Sequence, residues 1–200
     1  QLSFARVVET SKAVALMFGG EGQVSSDRFR NAAASLLAGV AGVQAIVWAP
    51  RVRGADRAEM ETAVRKDGVA DFTFTEQDAQ RRRVPAAARD EYFPVYYITT
   101  RTGDEGARGF DLASNPIRAE AMAKARDSGK VYASDRVQLV QRKRPASLIF
   151  APVYRGETIP ATVEERREKL IGFSLTTFDV ETALADLLTG DGSRNAMDAD

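Results

Sequence analysis

The sequence predicts an α+β domain in which N-terminal helices precede one antiparallel sheet. Apolar residues recur at helical spacing up to about residue 40, and from Gly42 the signal changes to short apolar runs. The second half holds a run of three strands, 130–141, 147–154 and 170–178, whose connections are too short or irregular for helical crossovers. The expected arrangement is a central antiparallel sheet with helices on one side and a helical extension at the N-terminus.

The elements follow in order. Phe4, Val7, Val8, the small Ser11, Val14, Ala15 and Phe18 form one helical stripe, which Gly19-Gly20 and Gly22 end. The pattern starts at residue 1 without a cap, so the helix is expected to continue upstream. Ser26 as N-cap and Asp27 in the first turn open a second helix, with Phe29, Ala33, Leu36, Leu37 and Val40 as its apolar face. Both stripes fit packing against the domain or a dimer-forming stalk. Val43 to Trp48 is a strand ended by Pro50, and Ala55 to Lys66 a helix stopped by Gly68. Asp71 to Thr75 alternates as a half-buried strand should, and the polar stretch Glu76 to Glu91 is expected to be a loop. Phe93 to Thr99 is a strand leading into a glycine-rich loop, Gly103 to Gly109.

Asn115-Pro116 opens the clearest helix. Asparagine caps, proline at the first helical position loses no hydrogen bond, and Gly129 stops the helix. The three strands follow, then a helix over Val180 to Leu188 and a polar tail from Gly190. A PAS-like sheet fits this order. The expected division is N-terminal and connecting helices over 1–40, a sheet domain over 41–178, and the start of a further segment over 179–200.

Composition removes several functions. Lysine plus arginine equals aspartate plus glutamate at 28 each, so charge balance offers no attraction to nucleic acid or an anionic membrane. The basic runs Arg81-Arg82-Arg83 and Arg142-Lys143-Arg144 sit in turn-like stretches and read as solvated charges. With no cysteine there is no thiol nucleophile, thiolate metal site or disulfide; with no histidine, a Ser-His-Asp triad is impossible. No cofactor and no metal are expected. No apolar run approaches the roughly 20 residues of a membrane-spanning helix, and no signal peptide is expected within these residues.

Several motifs in fixed order carry a family resemblance. They are Tyr92-Phe93-Pro94-Val95-Tyr96, then Gly109-Phe110-Asp111-Leu112-Ala113-Ser114-Asn115-Pro116, and Ala125-Arg126-Asp127-Ser128-Gly129. Val137 to Gln141 and Ala151-Pro152-Val153-Tyr154 come next, then Thr162 to Arg167 with Gly172-Phe173 and Phe178. With Val43 to Pro50 and Arg57 upstream, this pattern resembles the CHASE family over roughly residues 25 to 188. The resemblance implies a sensor domain outside the cytoplasmic membrane, periplasmic in a bacterium, between two transmembrane helices. Such domains feed histidine kinases, nucleotide cyclases or phosphodiesterases. It further implies a stalk helix that dimerises, a membrane-distal PAS-like unit that binds a small-molecule ligand, and a membrane-proximal unit that looks truncated here. On this reading the membrane segments of the parent protein lie outside these 200 residues.

Matched motif by motif, the pocket of the plant cytokinin receptors maps onto Leu112, Arg118, Ser134, Val140, Phe150, Phe173 and Thr176. Arg118 stands where the plant receptors use an aspartate to accept hydrogen bonds from the adenine edge, and arginine only donates. Phe150 replaces a small hydroxyl-bearing residue. Both departures argue against cytokinin. Arg118 falls in the first turn after the Asn115 cap, where an anion would meet both the guanidinium fork and free backbone N–H groups, so a carboxylate or another planar anion is the expected ligand. The competing placement is a solvated face or an ion pair with Asp111. Strict alternation sets Phe173 and Thr176 on opposite faces of their strand, so both reach one cavity only if the strand bends. Trp48 fits either a pocket wall or the core. Asp111 and Glu164-Glu165 fit a loop-structuring contact and a solvated turn better than a paired acid–base site. The alternatives to a ligand sensor are a ligand-free dimerisation and relay module, and an enzyme working with carboxylates alone.

Overall fold

The computed structural model describes residues 2–20, 24–135, 137–138, 145–156 and 158–179. The predicted helix Val180 to Leu188 and the whole of 139–144, Val140 included, lie outside these residues. Helix α1 (Leu2–Gly19) is followed by α2 (Ser26–Gly39), then strands β1 (Val43–Pro50) and β2 (Val52–Arg53). A 3-10 turn (Gly54–Asp56) leads into α3 (Arg57–Lys66), and short strands β3 (Thr75–Gln77), β4 (Arg83–Pro85) and β5 (Glu91–Tyr92) precede β6 (Tyr97–Thr100). A second 3-10 turn (Leu112–Ser114) runs into α4 (Pro116–Ser128). Strands β7 (Tyr132–Ala133), β8 (Val137–Gln138) and β9 (Pro145–Tyr154), helix α5 (Val163–Lys169) and β10 (Leu170–Phe178) follow.

The main sheet has the order β6-β1-β10-β9-β7, with β8 also paired to β9. Its pairings are all antiparallel. The fold is therefore α+β, as the period change and the short late connections predict. The expectation of helices on one side is corrected. Helices α1 and α2 cover one face, where Val7, Val14, Phe18 and Phe29 join Ile46, Trp48, Ile149 and Phe178 in one core. Helix α4 covers the other, with Ala121, Met122 and Ala125 against Leu148, Phe150 and Leu175. Burial on both faces explains why β1 is an apolar run rather than an alternating one.

Local differences from the sequence reading have identifiable causes. Ser25, not Ser26, caps α2, its hydroxyl accepting from Arg28 N at 3.2 Å. Phe72 and Phe74 are buried in alternation, yet residues 71–74 form no strand. Phe74 N donates to the Glu61 carboxylate at 2.8 Å instead of to a neighbouring strand. The stretch 76–91 holds strands because Asp78 Oδ1 accepts from Gln80 N and Arg82 N, which closes a β3–β4 turn with Arg81 at φ 63°. Pro94 keeps 93–96 out of β6, leaving a single bridge to Asp111. The strand expected over 130–141 is interrupted at Ser134, whose hydroxyl takes the Leu148 N–H at 3.2 Å.

Candidate ligand-binding site

The antiparallel register generates the site. Residues directly opposite one another point to the same face, so Thr100, Ala45, Thr177 and Leu148 form one row across the α4 face. Ile98, Val47, Leu175 and Phe150 form the next, and Ala49 and Phe173 belong to a third. The second and third rows are filled by large side chains: Phe173 meets Phe93 at 5.3 Å and Phe150 at 6.1 Å between ring centroids, both edge-on. The first row is short of volume because alanine and two threonines occupy three of its four positions. A cavity of about 60 Å³ lies there. It has room for several waters or a molecule of few heavy atoms, since one water needs roughly 10–15 Å³.

A β-bulge adds to the wall. The register between β1 and β10 shifts between Val43 and Ala45, and Gln44, the extra residue, lines the cavity beside Ala45. Phe110, Leu112 and the loop residues Thr102, Asp104 and Ala107 close the far side. Arg83 anchors this loop by donating to the carbonyls of Gly106 and Arg108 and to Thr75 Oγ1 at 2.7 Å. Gly109, at φ 80°, sits against the Thr73 carbonyl, where any Cβ would collide.

Arg118 forms the remaining wall. Asn115 Oδ1 accepts from Arg118 N at 3.2 Å, and Pro116 occupies the first turn, so the capping predicted from Asn115-Pro116 fixes where Arg118 emerges. The residue is only 3% exposed. Its guanidinium carbon lies 5.0 Å from the centroid of the Phe110 ring. Burial, with Arg81 adding like charge, pushes its pKa down to about 10, still cationic at neutral pH. A buried cation therefore sits at the positive end of a helix on the wall of a cavity, an arrangement that attracts anions.

The other predicted positions separate. Leu112 lines the cavity together with Arg118. Phe150 and Phe173 share its face but are core, 0% and 1% exposed. Ser134 stands at the outer end of the first row with its hydroxyl committed to backbone: it donates to Asp135 O at 2.7 Å and accepts from Leu148 N. Thr176 is corrected. It lies on the opposite face, under α1, with its Oγ1 2.8 Å from Ser11 Oγ; the strand does not bend enough to bring it round. Val140 lies outside the described residues. Trp48 is core, stacked on Phe18 at 4.0 Å.

Asp111 does not pair with Arg118. It is fully buried, its Oδ1 accepts from Phe93 N at 2.9 Å and Ala113 N at 3.3 Å, and Arg89 Nη1 approaches its Oδ2 to 3.5 Å. Burial pushes this carboxyl above the ordinary carboxylate range against those hydrogen bonds. This is a loop-structuring role. Among the described residues, no group of three or more acidic side chains could hold a metal ion. Sequence reasoning missed Leu175, Thr177 and Leu148, although counting by twos from Phe173 and Phe150 finds them. Asp104 and Gln44 carried no signal, because a loop and a bulge have no period.

The chain is 29% identical over 147 residues to hybrid signal transduction histidine kinase A of Dictyostelium discoideum, a match covering 68% of this chain and 7% of that protein's length. Among the described residues no helix is long and apolar enough to cross a membrane. The family model for the CHASE domain matches residues 22–198, and the chain belongs to this family of extracellular sensor domains.

Proposed function

We propose that this domain senses a small anionic molecule, a carboxylate held against Arg118 in the cavity between the sheet and α4. The observation that carries the reading is a guanidinium 3% exposed on a cavity wall in the first turn of a capped helix. Charge-assisted hydrogen bonds from the fork, together with the helix dipole, favour a planar anion over a neutral molecule. The 60 Å³ volume disfavours an adenine derivative, since pockets for drug-sized ligands run to about 300–1,000 Å³.

The parent protein on this reading is a membrane receptor with a kinase or nucleotide-cyclase output, and the domain occupies its extracytoplasmic side. Pairing of two copies through the N-terminal helices belongs to the same proposal. Leu16 of α1 is 78% exposed, and light scattering at rising protein concentration reads the pairing out. Calorimetry with a panel of small organic acids and adenines tests the ligand. Carboxylate binding that Arg118→Ala abolishes, in a variant that still melts cooperatively, is expected. Tight binding of a neutral purine unaffected by Arg118→Ala would overturn the reading, and binding of nothing in the panel would leave a ligand-free relay module.

A further inference from the structure

We infer that the ligand is a small zwitterion, an α-amino acid or a close analogue, with its carboxylate toward Arg118 and its ammonium toward Asp104. This rests on the preceding reading and narrows it. Among the described residues lining the cavity, only Arg118 and Asp104 carry formal charge, and their signs are opposite. They also differ in depth. Arg118 is buried, while Asp104 is exposed and sits with Thr102, also exposed, at the rim.

The rim carboxylate is held in place. Asp104 Oδ1 accepts from Gly106 N at 2.8 Å, and Thr100 Oγ1 donates to the Asp104 carbonyl at 3.2 Å. The polarity of the cavity therefore runs from positive inside to negative at the mouth. A dicarboxylate would bring its second anion against Asp104, and a simple amine would bring its cation against Arg118. A monocarboxylate satisfies the deep end alone. Only a molecule with both charges on a short skeleton matches both ends, and a cavity of about 60 Å³ restricts its side chain to the size of glycine's or alanine's.

Calorimetry on the 200-residue chain with L-alanine, propionate and ethylamine separates these cases, because propionate is alanine without its amine and ethylamine lacks the carboxylate. Alanine is expected to bind more tightly than propionate by up to about fivefold, the upper end of what one exposed ion pair contributes, and ethylamine not to bind. Asp104→Asn, which keeps an oxygen for Gly106 N, is expected to remove the difference between alanine and propionate; its melting curve checks the fold. Equal binding of alanine and propionate by the unmodified chain overturns this inference and leaves the anion reading standing. An undiminished preference for alanine in Asp104→Asn also overturns it. Failure of both acids to bind overturns the two readings together.

Discussion

The two faces of β10 are built from neighbouring residues but handle polar groups in opposite ways. Toward α1 and α2 the strand turns Ser174, Thr176 and Phe178; toward α4 it turns Phe173, Leu175 and Thr177. The helix face is filled. Val7, Ser11 and Val14 of α1 are all 0% exposed, and the polar groups buried there are neutral hydroxyls, Ser11 and Thr176 lying 2.8 Å apart. The α4 face is solid at its Phe173 end and hollow at its Thr177 end, with a full positive charge in the wall of the hollow. Enclosing a hydroxyl costs little when a neighbour accepts it, whereas enclosing a guanidinium costs far more. The contrast lies in what each face encloses: small neutral hydroxyls among tightly packed residues under α1, and a cation beside missing volume under α4.

The largest expected effect comes from merging the solid end of the α4 face with the hollow one. Phe173→Ala removes a ring packed between Phe93 and Phe150, and a drop of about 3–5 kcal/mol in urea-unfolding free energy is expected. A loss under about 1 kcal/mol would mean that this end is as loosely filled as the other. Next comes the charge. Burial, with Arg81 adding like charge, lowers the pKa of Arg118 to about 10, and at about 1.4 kcal/mol per unit such a shift places a few kcal/mol of cost on the folded state. Arg118→Met is therefore expected to melt a few degrees higher without ligand, the lost contact with Phe110 offsetting part of the gain. The pH dependence has a definite sign. Above about pH 10 the unfolded chain holds the proton that the folded one has released, so the stability of the unmodified protein gains on the variant as pH rises past that point. Urea titrations of both proteins at pH 9 and pH 11 check this; a gap that does not narrow would contradict the burial of the charge.

How much of this arrangement was visible in the chain depends on which physical signal each residue carries. Caps and periods are local, so Asn115-Pro116, the helical stripe of α1 and the bounds of β10 were legible, and with them the position of Arg118 at the start of α4. Alternation along β10 also set Phe173 and Thr176 on opposite faces unless the strand bends, and the structure shows that it does not bend enough. What the chain does not display is register between strands. The hollow exists because Ala45, Thr100 and Thr177, far apart in sequence, fall into one row, and no local pattern announces that. The same holds for Phe74, whose N–H turns to Glu61 across the fold and so leaves an apparently ideal alternating segment outside any strand.

Smaller changes on the helix face sharpen the contrast from the other side. Thr176→Val keeps the shape and removes the hydroxyl, while Ser11 retains the Val7 carbonyl at 3.0 Å as a partner. A loss of about 1 kcal/mol is expected, with affinity for any carboxylate ligand unchanged because Thr176 faces away from the cavity. A tenfold change in affinity would show that the two faces are coupled through the strand.

The smallest effect belongs to Ser174, between Trp48 and Ala151 on the same face. Its Oγ is buried and has no hydrogen-bond partner among the described residues, in contrast to Thr176 one step along the face. Removing a hydroxyl that already lacks a partner forfeits no hydrogen bond and relieves its desolvation, against the loss of a single small atom's packing. Ser174→Ala is therefore expected to be neutral or stabilising by up to about 1 kcal/mol in urea unfolding, opposite in sign to Thr176→Val. A clear destabilisation would mean that the Ser174 hydroxyl does find a partner under α1, and that the helix face meets its polar groups more completely than its hydrogen bonds indicate.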